Sequence, residues 1–177
     1  GGLILGFIWQ FIFVKGFASI GELTGIPLFE LAWLGDANTA FWGIVIVSLW
    51  QGAGYIMIIY IAALQNLPQE LIEAARIDGA NRFQVLRHIT MPLVAPAVTI
   101  CLFLTTASSL KVFDANLSLT NGGPFKSTEM LAPNIYTEAF VNNPYGIGEG
   151  KALIFFIVVA AITVLQVTIS KKKEVES

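Results

Sequence analysis

Residues Leu67–Pro92 read LPQELIEAARIDGANRFQVLRHITMP and separate two long apolar runs. Pro68 suits the first position of a helix, where its missing N–H costs nothing. Glu70 lies near that N-terminus, where the helix dipole favours a carboxylate. Gln69–Ile77 are nearly all good helix formers. Gly79 suits a C-terminal cap, and Asn81 can cap a second helix running to about His88. Pro92 is expected to open the next long helix. The stretch therefore predicts a helix–turn–helix link between two apolar segments.

Working outward, the charges leave three long gaps. None falls between Asp36 and Glu70, none between Arg87 and Lys111 apart from His88, and none between Lys151 and Lys171. Each gap holds the ~20 residues that a helix needs to cross about 30 Å of hydrocarbon. A charge at the centre of such a helix costs about 2.5–3.5 kcal/mol, which accounts for the empty stretches. The whole chain agrees: 55% of residues are hydrophobic and 12% charged, against about a quarter charged in a soluble domain. We expect an all-α polytopic membrane protein lodged in a lipid bilayer. Four segments are read: Gly1–Val14, then within Ala40–Leu64, Pro92–Leu110 and Ala152–Ser170.

The first run spans only about 21 Å at 1.5 Å per residue, too short to cross alone. It lacks the basic start and cleavage site of a signal peptide, and no initiator Met is present. The expectation is a chain that starts inside a membrane helix, with upstream residues missing. Arg76, Arg82 and Arg87 in the central link, and Lys171, Lys172 and Lys173 in the tail, form the basic side. Lys15, Lys126 and Lys151, with Lys111 at a boundary, lie opposite. Two crossings separate link from tail, so both are expected in the cytoplasm. The loops about Lys15–Thr39 and Asp114–Gly150 then face outside. They carry turn residues at Gly25-Ile26-Pro27, Asn121-Gly122-Gly123-Pro124 and Asn142-Asn143-Pro144, and Leu131–Phe140 reads as a short helix with Pro133 in its first turn.

Several functions are disfavoured. A net charge of −2 gives no footprint for nucleic acid. Cys101 is the sole cysteine, which excludes an internal disulfide and fits packing inside an apolar helix. No Cys/His cluster suggests a metal, no phosphate-binding G-x-x-x-x-G-K-[ST] pattern occurs, and no cofactor is implied. Trp9, Trp33, Trp42 and Trp50 fall mostly near segment ends, where interfacial anchoring is the default role.

In the link, Ala74 and Ala75 beside Glu73 offer a flat patch that another protein could approach closely. A solvated linker helix is the plainer reading of the same residues. The spacing goes further. Glu73-Ala74-Ala75, three residues, Gly79, nine residues, then Ile89-Thr90-Met91-Pro92 resembles the EAA loop of binding-protein-dependent ABC importer permeases, with Met91 where the family usually has Leu. Leu34, Asp36, Trp50 and Ala63-Leu64-Gln65 are similar to the region before that loop. Phe113-Asp114, Leu119-Thr120 and Gly122-Gly123-Pro124 resemble the carbohydrate branch of the maltose and glycerol-phosphate type. The resemblance covers essentially the whole chain, 1–177, with residues 67–92 as the coupling loop.

It implies a permease subunit in a bacterial or archaeal plasma membrane, itself no enzyme. Its partners would be ATPase subunits, a second, non-identical permease and an extracytoplasmic solute-binding protein. Members usually have at least six membrane helices. Glu73 would pair with a basic residue of the ATPase, Ala74 and Ala75 would allow close contact, and Gly79 would make the turn. Arg76, Asp78 and Arg82 are weaker candidates for the same interface.

For the carbohydrate substrate, Ser109, Phe113 and Asp114 offer hydrogen-bonding and aromatic groups, with Ser109 and Phe113 at i,i+4 spacing. Lys111 and Asp114 could equally mark the water boundary. Gln51 raises the same question, while Gly52 and Gly54 suit helix packing. A secondary transporter or channel would be expected to carry ionisable groups deep in its helices, and the three complete segments have none near their middles. A membrane-embedded hydrolase would need a nucleophile and base together, and His88 lies in the link, apart from Cys101.

Overall fold

The computed structural model describes residues 2–142 and 145–175, the last five as backbone only. Every regular element among them is helical. This is the solution available to an apolar chain that must satisfy its own backbone polar groups. The helices are α1 (Gly2–Thr24), α2 (Pro27–Glu30), α3 (Ala37–Gln65), α4 (Gln69–Ile77), α5 (Arg82–Leu110), α6 (Asp114–Leu119), α7 (Leu131–Tyr136) and α8 (Tyr145–Val175). Four are long and apolar enough to cross a membrane: α1, α3, α5 and residues Tyr145–Ser170 of α8.

Two expectations about these segments are corrected. The first helix does not stop at Val14. It runs 23 residues to Thr24, passing Lys15 in a wide turn over Ile12–Gly16. Lys15 thus belongs to a helix rather than to a loop, and the length objection to this segment lapses. Pro92 does not open a helix either. The second helix of the link and the third apolar segment are one element, α5. A wide turn over Leu86–Thr90, in which Met91 N–H bonds the Leu86 carbonyl, precedes Pro92. Widening the turn there makes room for a ring that would otherwise clash with the preceding turn's carbonyl.

The ends of α3 follow from local chemistry. Asp36 Oδ2 accepts the Asn38 N–H at 3.1 Å, capping the start. At the other end Asn66 Nδ2 donates to the Ala62 carbonyl at 2.9 Å, and Pro68 cannot continue the helix. Leu131–Tyr136 forms as expected with Pro133 in its first turns, and a wide turn carries it to Val141. Asn143 and Pro144 of the third expected turn lie outside the described residues, as do the side chains of Lys171–Lys173.

By internal contacts the chain makes two compact units, Gly1–Gln51 with Ser109–Ile157, and Gly52–Ser108 with Val158–Ser177. The core of the first gathers Phe13, Trp33, Ile44, Val47, Ala115 and Leu119. Trp33 stacks on Phe13 with ring centroids 5.3 Å apart and meets Phe17 edge-on. Its Nε1–H reaches the Leu28 carbonyl at 2.9 Å. Trp33 is therefore a core residue, not the interfacial anchor expected, and it pins the segment between α1 and α3 onto both. Trp9 and Trp50 also meet edge-on, at 5.8 Å. In the second unit Cys101 is buried, as its apolar surroundings predict.

Gly6 permits the close approach of α1 to α6. A Cβ there would lie 2.7 Å from Ser118 Cβ, nearer than rotation of the Ser118 hydroxyl can relieve. Gly6→Leu is expected to destabilise the first unit by about 1–3 kcal/mol, the usual cost of overpacking. Thermal unfolding in detergent checks this, with Gly16→Leu as a control that has room for a side chain.

Candidate functional site

The link is built from two short helical pieces joined by a fully bonded turn. Pro68 proves to be the residue flanking α4, with Gln69 its first helical position. Gly79 adopts φ +85°, which only glycine reaches without strain. That conformation closes a Schellman motif: Gly79 N–H bonds the Arg76 carbonyl at 3.1 Å, and Ala80 N–H the Ala75 carbonyl at 2.9 Å. Two residues on, Asn81 and Gln84 form a reciprocal capping box. Gln84 N–H donates to Asn81 Oδ1 at 2.9 Å, and Asn81 N–H to Gln84 Oε1 at 2.8 Å. The turn thus leaves few backbone groups unpaired and holds the two helices in one geometry.

This geometry separates residues that are neighbours in sequence. Ile72 and Ala75 face inward and are half-buried, whereas Glu70, Glu73, Ala74 and Ile77 are exposed. The last four recur at i, i+3, i+4 and i+7, one stripe of the helix. The flat patch expected from Ala74 and Ala75 is therefore divided. Ala74 stands beside Glu73 on the outer stripe, and Ala75 lines a groove of about 380 Å³ with Asp78, Gly79, Gln84, Val85 and His88. His88 Nδ1 lies 3.1 Å from the Gln84 carbonyl, within that one turn.

Glu73, Arg76, Asp78 and Arg82 are all exposed, and the one ion pair among the described residues is elsewhere, between Lys151 and Glu138. Arg76 ends α4, where the helix dipole welcomes a cation, so its charge has a local use. Arg82 opens α5 and Asp78 closes α4, each at the end that disfavours its sign. Their charges do not serve the helices that carry them.

Among the sequence-level candidates for a solute path, the helical relation between Ser109 and Phe113 fails. α5 ends at Leu110, and Phe113 lies beyond it, edge-on to Tyr136 at 5.5 Å. Asp114 opens α6 and is exposed, as is Gln51 on α3. A Cβ on Gly52 or Gly54 would meet nothing within 4 Å, so these two glycines are not used for packing inside the chain. Sequence reading missed Asn116 and Thr128. Asn116 is fully buried and donates to the Thr128 carbonyl, while Thr128 Oγ1 bonds Thr120 Oγ1 at 2.8 Å and also the Gly123 carbonyl. Together they fasten the Thr120–Thr128 loop to α6. No spacing rule relates Asn116 to Thr128, so only burial reveals the pair.

Residues 2–172 match the family model described as binding-protein-dependent transport system inner membrane component. The chain belongs to this family. It is 51% identical over 176 residues to the probable starch degradation products transport system permease protein AmyD of Thermoanaerobacterium thermosulfurigenes, covering 99% of this chain and 60% of that protein. It is 37% identical over 174 residues to the multiple sugar-binding transport system permease protein MsmF of Streptococcus mutans, covering 98% of this chain and 60% of that one. The chain thus spans 60% of the length of either relative. The fold matches a bacterial ABC transporter involved in import of the acidic polysaccharide alginate, with a TM-score of 0.84 at 20% identity over 97% of this chain and 61% of that one. The chain is therefore a multi-pass membrane protein with the fold of this family.

The turn's rigidity is testable. Asn81→Ala is expected to cost about 1 kcal/mol, and Gly79→Ala about 1–3 kcal/mol through backbone strain. Hydrogen exchange over residues 67–92 should quicken in both variants while that of α3 stays unchanged.

Proposed function

We propose that this chain is part of a permease subunit that moves a carbohydrate inward by alternating access, driven by ATP hydrolysis in separate subunits. The observation that carries this reading is the link itself. A capped, rigid helix–turn–helix between two membrane helices presents unpaired charges on an outer stripe. Glu73 is the principal contact to the ATPase, pairing with a basic side chain there. Ala74 allows close approach, Ala75 and Gly79 shape the turn behind it, and Arg76, Asp78 and Arg82 flank the interface. Residues 67–92 then act as the coupling loop of a single transmembrane domain over 1–177.

The basic residues of the link and tail support a cytoplasmic position for both. A second, non-identical permease completes the path, and an extracytoplasmic binding protein delivers solute. The names of AmyD and MsmF, which refer to starch degradation products and multiple sugars, support a carbohydrate substrate. Ser109, Phe113, Asp114 and Gln51 are the proposed solute contacts. ATP binding closes the ATPase pair, the coupling loops approach one another, and the path opens outward; hydrolysis reverses this. Taking such an equilibrium from 1:99 to 99:1 needs about 5.5 kcal/mol of differential binding. Partners must supply it, because this chain has no phosphate-binding loop.

Glu73→Arg puts like charges together at the docking contact, and breaking a buried ion pair costs about 3–5 kcal/mol, a hundredfold or more in association. The variant in the full-length subunit should insert normally but lose solute uptake and solute-stimulated ATP hydrolysis. Unchanged uptake would overturn the docking role.

A further inference from the structure

Lys151 stands early in α8, immediately before the apolar run that opens at Ala152. A lysine at the end of a membrane helix normally stretches its ammonium toward the headgroups and needs no fixed partner. This one is held. Its Nζ donates to Glu138 Oε2 at 3.0 Å and to Asn134 Oδ1 at 3.1 Å, and Asn134 Nδ2 donates in turn to Glu129 Oε1 at 3.0 Å. Asn134 and Glu138 lie four residues apart, on one face of α7 and the wide turn that extends it, so that face grips a single side chain. Beside the clamp the two backbones touch. A Cβ on Gly148 would lie 2.5 Å from Ala139 Cβ and 2.7 Å from its Cα. The side chains of the ion pair keep 40% and 25% exposure, so the pair contributes little stability and what it fixes is geometry.

The opposite face of α7 carries Tyr136. It is two residues from both Asn134 and Glu138, about 200° round the helix. Its ring meets Phe113 edge-on with centroids 5.5 Å apart. Phe113 lies between helices, past the end of α5 at Leu110 and before α6 opens at Asp114. Its ring therefore takes its position from what packs on it rather than from a helix of its own. α7 is thus a spacer, with Lys151 on one side and Phe113 on the other.

We propose that Lys151 is a positioning residue for transport: its clamp on α7 seats Tyr136, and through Tyr136 it sets the Phe113 ring that solute passes. This rests on the reading of Phe113 as a solute contact.

The full-length subunit, assembled in vesicles with its partner permease, ATPase subunits and binding protein, tests it. The readout is carbohydrate taken up per ATP hydrolysed, with whichever of labelled maltose, maltotriose and raffinose is taken up best as the probe. A variant that merely folds or assembles poorly lowers both rates together and leaves this ratio unchanged. Phe113→Ala should lower the ratio roughly twofold to tenfold, the worth of one aromatic contact. Lys151→Met should lower it to a similar extent, Lys151→Arg should keep it, and the exchange of Lys151→Glu with Glu138→Lys should recover it. Phe113→Ala combined with Lys151→Met should fall no lower than Phe113→Ala alone, because Lys151 acts through Phe113. If the two losses multiply, or if Lys151→Met keeps the ratio while Phe113→Ala lowers it, the positioning role is overturned and the solute contact stands. If Phe113→Ala itself keeps the ratio, the solute-contact reading fails and the positioning role with it. Uptake of none of the three sugars by the unaltered complex overturns both.

Discussion

A backbone amide in hydrocarbon has no water to bond, and nearly everything in this chain follows from that. Each apolar run must close its own hydrogen bonds, so each is a helix, and the chain may leave helical geometry only where side chains or turns take over the unpaired groups. The breaks fall at such places. Asp36 caps the start of α3, Asn66 bonds back into its end, and the link closes through a Schellman turn and a capping box. Where proline intrudes, at Pro92, the helix widens rather than breaks.

The link, where water can reach the backbone, still closes its turn internally, which makes it stiff. A loop of unpaired amides would be soft, whereas this one spends its polar groups internally and is continuous with α5. In the proposed importer, a push on the outer stripe of α4 would pass through the turn into a membrane helix without first ordering a flexible segment. The charges left over are the ones that do not serve their own helices, Asp78 and Arg82, and the one that the spacing singled out, Glu73.

The first unit uses aromatic stacking for what the link does with caps. Trp33 forms a triad with Phe13 and Phe17, with its indole N–H satisfied by the Leu28 carbonyl. This holds an irregular segment against α1 and α3 with little regular structure of its own. Around α6, the buried Asn116 and Thr128 fix the Thr120–Thr128 loop by hydrogen bonds between side chain and backbone.

Much of this was legible in the sequence. Charge gaps marked three long helices because burying a charge in lipid is costly, and Gly79 and Asn81 announced their turn because few residues can occupy those backbone positions. The Glu73–Pro92 spacing pointed to the family by resemblance alone. Periodic composition, however, cannot say where a helix ends when no breaker is present, so α1 ran past Val14, while Pro92 misled because a widened turn over Leu86–Thr90 let α5 run through it. Neighbours in sequence lie about 100° apart on a helix, so Ala74 and Ala75 parted company once α4 packed on α5. Trp33 and Asn116 owe their roles to long-range burial, which no local pattern records. Local backbone chemistry determined the helices and their turns; which face of each is covered, and so which residues remain for a partner, was decided only by packing.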